Sequence, residues 1–201
     1  MNVESTRTRN PAGTKRAVLE AAERLFAERG FAGTSMRDIA DASGVSQPLI
    51  QHHFGHKEDL YAAVLHLAVE SYAARFPDAA RITDQPVDLR TEMSRLFTFL
   101  RENELQIRMV GWARLERRHE LVAGCDELRR AMVLRIERAQ QLGLVREDID
   151  SASLAVMLEG LVFHWFDNRS LNARLFAEIP DDDAYLAKAI ALLERGFAPA
   201  P

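Results

Sequence analysis

At 201 residues, 47 % of them hydrophobic and 28 % charged, the chain has the make-up of an ordinary soluble protein of one or two domains. No apolar run approaches the eighteen residues of a membrane span, and MNVESTRTRNPAG lacks the apolar core of a secretory signal. The single cysteine, Cys125, leaves no internal disulfide, so the expectation is a cytoplasmic protein.

The net charge is −4, which does not advertise nucleic-acid binding. Acidic and basic side chains balance over residues 1–60, and the negative excess lies beyond them. The front end is a locally basic tail, with Arg7, Arg9, Lys15 and Arg16 against Glu4. In chain order every element reads as helix, and no segment alternates as a strand would. TKRAVLEAAERLFAERG places Val18, Ala21, Ala22, Leu25 and Phe26 on one face, with Thr14 as its cap and Gly30 as its stop. SMRDIADA follows, Ser35 capping it and Asp38 in capping-box position. SGVS forms a turn, and a short third helix runs from Ser46 to Phe54-Gly55. A long fourth helix runs from Lys57 to Phe76 with Leu60, Val64, Leu67 and Ala68 inward.

FPDAARITDQP, with two prolines, marks the boundary between two parts. Five more helices are expected at about 87–102, 104–118, 120–141, 151–176 and 182–197. The chain is therefore all-α, with about nine helices. In the eighth, Leu154, Leu158, Leu161, Val162 and Trp165 form one stripe while Phe163 and Phe166 lie off it. A helix apolar on more than one face needs cover on more than one side. The ninth, with Leu186, Ala189, Ile190, Leu193 and Phe197, is apolar too. Together they predict a homodimer formed through the last two helices.

Two short helices joined by a Gly-containing turn and braced by a first helix read as a helix-turn-helix. The second helix of such a motif reaches base edges in a major groove with its N-terminal residues. Here that helix opens with Ser46, Gln47 and Pro48 and shows Gln51 and His52 outward. Leu49, Ile50 and Phe54 would pack it on its neighbours. Glutamine can bond adenine through a pair of hydrogen bonds, and Ser46 with its adjacent amides suits phosphate. His52, His53 and His56 crowd five positions, but Gly55 interrupts the helical spacing a pair of metal ligands would need. No metal, cofactor or catalytic role is assigned to them.

LFAERGF, TSMRDIADASGVS and HHFGHKEDL, in this order and spacing between Thr14 and Leu60, resemble the TetR family of transcriptional regulators. The resemblance implies a basic tail at 1–13, a helix-turn-helix domain at 14–56, a connecting helix at 57–76 and a ligand-binding and dimerisation domain at 77–201. It implies that His53 and Lys57 meet the DNA backbone and that Thr34, at the entry to the second helix, meets phosphate or simply caps that helix. Ser35 and Arg37 are further candidate contacts beside it, Arg37 equally readable as a solvated side chain. Two positions depart from the family pattern: Pro48 stands where a small residue is usual and Gln51 where tyrosine is. The implied activity is sequence-specific binding to a near-palindromic operator by a homodimer, a repressor released by a small molecule. The pocket of such proteins lies among the middle helices, where the candidates are Phe97, Met109, Trp112, Met132, Met157, Leu161, His164 and Trp165.

Nothing beyond residue 77 assembles a catalytic set. HELVAG lacks the second histidine of a zinc-protease signature, since position 123 is Ala. The DDD at 181–183 suits a helix start, and Cys125 reads as a small buried hydrophobe, with a redox sensor the alternative that Arg129 and Arg130 keep open. The competing class is a helical small-molecule-binding or metal-binding protein without a DNA role.

Overall fold

The computed structural model describes residues 11–79, 81, 86–118 and 125–198. Among them are nine helices and no strand: α1 (Pro11–Arg29), α2 (Met36–Ser43), α3 (Gln47–Phe54), α4 (Lys57–Arg75), α5 (Leu89–Glu102), α6 (Glu104–Leu115), α7 (Cys125–Gln141), α8 (Ser151–Leu175) and α9 (Asp182–Gly196). The all-helical reading holds, with differences at several ends. Helix α1 begins at Pro11, three residues before Thr14, so Thr14 lies inside the helix and does not cap it. Proline suits that first position because its φ is already helical and the missing N–H would be unpaired there anyway. Arg7 and Arg9 lie outside the described residues, as do the first residues of the expected 120–141 helix.

Two apolar clusters organise the chain. In the first, Val18, Ala22 and Phe26 of α1 pack against Ile39, Ile50, Leu60 and Tyr61, all 0 % exposed. Tyr61 sets its ring edge against Phe26 at 4.8 Å and Phe31 at 5.3 Å, a favoured aromatic arrangement. This cluster fixes α2 and α3 on α1. The inward face of α4 is Leu60, Tyr61, Val64 and Leu65; Leu67 is instead exposed. The helix can bury a stripe only where a neighbour covers it, and α1 covers its N-terminal half.

The second cluster joins α5, α7, α8 and α9 through Met93, Phe97, Ile136, Leu154, Leu158, Val162 and Leu193. Helix α6 belongs to both. Ile107 packs in the second cluster, whereas Met109 and Ala113 pack in the first. Beyond it, the turn after α1 is tied directly to α6. Gly30 adopts φ +71°, and a Cβ there would meet Trp112 Cε3 at 2.8 Å. Glu116 accepts hydrogen bonds from the backbone N–H groups of Phe31 (3.0 Å) and Ala32 (2.9 Å).

Candidate functional site

The outward surface of α2 and α3 follows from what their inward residues do. Ile39 and Ile50 are fully buried, so each short helix has one face committed to α1. Ser35 caps α2: its Oγ accepts from the Asp38 N–H at 3.1 Å, and Asp38 Oδ2 accepts from the Ser35 N–H at 2.9 Å. The Ser35 hydroxyl, with that N–H, holds the Asp38 carboxyl below its usual range. Gly44 turns the chain in the left-handed region at φ +68°, which costs glycine little. Helix α3 then leaves Gln47, Pro48, Gln51 and His52 exposed. Positions three and four apart are neighbours on a helix surface, and Gln47 with Gln51, Pro48 with Gln51 and Pro48 with His52 link these four into one patch. Ser46 occupies the N-cap but makes no capping bond with its side chain.

Several expected contact residues sit differently. Thr34 is 2 % exposed, and its hydroxyl donates inward to the carbonyls of Leu25 (3.2 Å) and Gly30 (2.9 Å). A hydroxyl spent this way closes the α1 turn and has no proton left for a phosphate, so Thr34 is removed from the contact set as a side chain. Lys57 Nζ donates to the carbonyls of Phe31 (2.9 Å) and Thr34 (2.8 Å) and lies 4.0 Å from the Phe31 ring centroid. Two of its three protons are thus occupied. Arg37 is exposed and His53 half-buried, its ring 6.4 Å from that of Phe54. His56 starts α4, its N–H donating to Asp59 Oδ2 at 2.8 Å. Among the described residues no group of three or more His, Cys, Asp or Glu is placed to hold a metal.

The second feature is a cavity of about 460 Å³ between α4, α5, α6, α7 and α8, within the usual size range of small-molecule sites. Its apolar wall includes Val69, Tyr72, Leu96, Phe99, Val110 and Phe163. Burial raises the Tyr72 phenol pKa well above its ordinary value. Polar residues at the wall are Glu92, Gln106, Arg114, Cys125, Asp126, Arg129 and Glu159. Burial also raises the Cys125 thiol pKa, with Arg129 opposing it. A raised thiol pKa lowers the thiolate fraction, which weighs against the redox expectation.

Of the eight residues expected to line the pocket, Met132 alone lines this cavity. Phe97 is wholly buried, its ring 4.8 Å from Phe166. Met109 packs in the first cluster. The Trp112 indole N–H donates to the Ala27 carbonyl at 3.3 Å. Trp165 stacks on Tyr185 at 4.0 Å and donates to Asp182 at 2.8 Å. Met157, Leu161 and His164 line a shallow groove between α8 and α9, with Tyr185, Leu192 and Phe197. His164 is exposed there, so it needs no buried partner. Residue type was a poor guide because the same aromatics and methionines fill cores and line gaps. Around the groove, Val156 is 68 % and Leu192 61 % exposed.

Comparison with known proteins agrees with this arrangement. Residues 18–64 match the model of bacterial regulatory proteins of the tetR family, and residues 88–195 match the tetracyclin repressor-like C-terminal domain. The chain is 34 % identical over 94 residues to the transcriptional activator FasR of Mycolicibacterium smegmatis, covering 46 % of this chain and 43 % of that protein. It is 37 % identical over 71 residues to the transcriptional repressor KstR2 of Mycobacterium tuberculosis, covering 35 % and 36 %. The match therefore spans less than half the length of these curated relatives. SCO4942 from Streptomyces coelicolor shares the fold, with a TM-score of 0.76 over 92 % of this chain and 98 % of that one at 22 % identity.

Proposed function

Because the chain belongs to the TetR family of bacterial regulatory proteins, we propose that it is a homodimeric DNA-binding regulator that represses from an operator until a small molecule releases it. The observation that carries this reading is the exposed patch Gln47, Pro48, Gln51 and His52 on a helix whose other face is anchored by the fully buried Ile50. Such a patch offers hydrogen-bonding ends to base edges while its backbone stays fixed. Gln47 and Gln51 supply paired donors and acceptors suited to adenine. Pro48 pre-sets φ in the first turn, and Ser46, Ser35, Arg37, His53 and Lys57 flank the patch where a phosphate backbone would pass.

Dimerisation uses α8 and α9. Val156, Met157 and Leu192 are exposed on these helices, Met157 and Leu192 in one groove, and a second copy of the same surface would cover them with two-fold symmetry. The two reading helices then meet half-sites about 34–36 Å apart. The cavity is the effector site. Helix α6 gives Gln106, Val110 and Arg114 to its wall, while its Trp112 bonds the last turn of α1 and Glu116, its C-cap, bonds the turn that follows. A ligand that shifts α6 by a small amount therefore moves the reading head, and a ligand favouring that geometry lowers DNA affinity. The repressor reading follows the name of KstR2, a transcriptional repressor, rather than that of FasR, a transcriptional activator. No catalytic work is assigned to the chain.

Selection of bound duplexes from a random pool, repeated with Gln47→Ala and Gln51→Ala, tests the reading. The parent should enrich a near-palindrome. Each variant should lose preference at particular positions, by about 1–3 kcal/mol where a paired contact is removed. Equal loss on every duplex would take both glutamines out of base reading, and no enrichment by the parent would leave a binding module without a DNA role.

A further inference from the structure

The polar groups of the cavity are of unequal availability, and that inequality selects a ligand chemistry. The charge of its two guanidinium groups is already matched: Arg114 Nη2 bonds Asp167 at 2.9 Å and Arg129 Nη2 bonds Glu159 at 2.8 Å. Anionic head groups are held by guanidinium groups or free backbone donors, and here each guanidinium already has a carboxylate beside it. Two buried oxygens at the wall have no partner. Glu92 is 1 % exposed; its Oε1 takes Arg135 at 2.8 Å and Arg95 at 3.2 Å, while its Oε2 has no partner. Gln106 Oε1 is likewise buried without a partner. The amide of Gln106 is not free to flip, because it donates to Glu23 on α1 and only the nitrogen end can donate.

We propose that the cavity takes an apolar molecule whose polar groups are hydrogen-bond donors, a hydroxyl or an ammonium, and that it discriminates against carboxylates and phosphates. A buried acceptor without a donor is costly, and a ligand donor satisfies it. An anion brought to the same wall meets two acceptors and the rim carboxylate Asp126. Arg135 stands behind Glu92, and its spare Nε and Nη1 protons are reached only by displacing that carboxylate. The proposal rests on the reading of this cavity as the effector site, and it adds that site's chemistry.

Cys125 is the chain's only cysteine and stands in the cavity wall, so its alkylation reports occupancy. Full-length protein is treated with N-ethylmaleimide in the presence of biphenyl, 4-phenylphenol, 4-phenylbenzylamine or biphenyl-4-carboxylate, and the alkylated fraction is read by mass spectrometry. The phenol or the amine should protect Cys125 at about tenfold lower concentration than the carboxylate and the bare hydrocarbon, as expected for one charge-assisted hydrogen bond. Which of the two protects better tells a hydroxyl from an ammonium source. Protection by the carboxylate or by biphenyl equal to that of both donors overturns the ligand class while leaving an effector site. Failure of all four to protect overturns the site itself. Glu92→Gln places a donor at the empty position and should bring the carboxylate level with the phenol. Gln106→Met, which keeps the buried ion pair, should cut the donor advantage several-fold, and an unchanged preference in a folded Gln106→Met protein counts against the proposal.

Discussion

In the N-terminal region the helix caps are local, Ser35 pairing with Asp38 and the His56 N–H with Asp59, and the longer ties of Lys57 and Glu116 end on backbone groups. In the body beyond residue 86 pairs of side chains reach across the chain, Glu92 to Arg135 over 43 positions and Arg114 to Asp167 over 53. The first kind of bond fixes short helices so that their outer faces remain free to meet a large rigid partner. The second kind ties helices around a gap and sets its size. One region is therefore a printed surface and the other an adjustable container, with α6 between them.

The contrast breaks most visibly if the long-range tie is cut. Glu92→Ala removes the acceptor shared by Arg135 and Arg95 and leaves Arg135, 8 % exposed, charged and unpaired. Loss of one partner of a buried pair costs about 3–5 kcal/mol, and urea unfolding should show a loss of that size. The base preference of any DNA still bound should not change, since α3 is supported by the other cluster. A loss below 1 kcal/mol would mean that the Glu92–Arg135 tie does not hold the container together.

A smaller effect is expected where the two regions join. Glu116→Ala deprives the Phe31 and Ala32 N–H groups of a carboxylate acceptor. One of those groups is part-buried and the other exposed, so about 2 kcal/mol is expected rather than the full worth of two charge-assisted bonds. Hydrogen exchange should accelerate at those two amides and at the end of α1, with α7 to α9 unchanged. Uniform acceleration along the chain would show that the two regions unfold as one unit, and the distinction drawn above would then be wrong.

The same contrast explains what could be read beforehand. The reading head is coded over short distances: a cap, a turn glycine, and apolar residues three and four apart. A linear inspection sees those, and it placed α2 and α3 to within a residue or so. It missed that Thr34 points inward, because a threonine before a helix looks like a cap and nothing nearby in sequence reveals the Leu25 and Gly30 carbonyls it bonds. The cavity is coded otherwise. Phe97 and Phe99 are two positions apart on one helix, and Phe97 fills the core while Phe99 lines the gap. Their difference depends on five helices meeting, which periodicity within one helix does not contain. Glu92 is legible within a single helix. It falls beside Met93 and Leu96 on the inward stripe of α5, and a carboxylate at such a place needs explanation.

Lys57 is where surface and scaffold overlap, and it gives the smallest expected effect. With two protons on the carbonyls of Phe31 and Thr34, its ammonium already closes the α1–α2 turn, and one proton remains for a phosphate. Lys57→Met keeps the stem against Phe31 and removes the charge. Two half-buried carbonyls lose a donor, so stability should fall by about 1 kcal/mol. If the remaining proton meets the DNA backbone, the slope of log affinity against log salt should also fall by about one unit, alike on specific and random duplexes. A fall in stability with an unchanged slope would assign Lys57 wholly to the scaffold. Contact with the DNA backbone in this head would then rest on exposed groups such as Arg37, and salt would weaken binding less steeply than a head with two such cations requires.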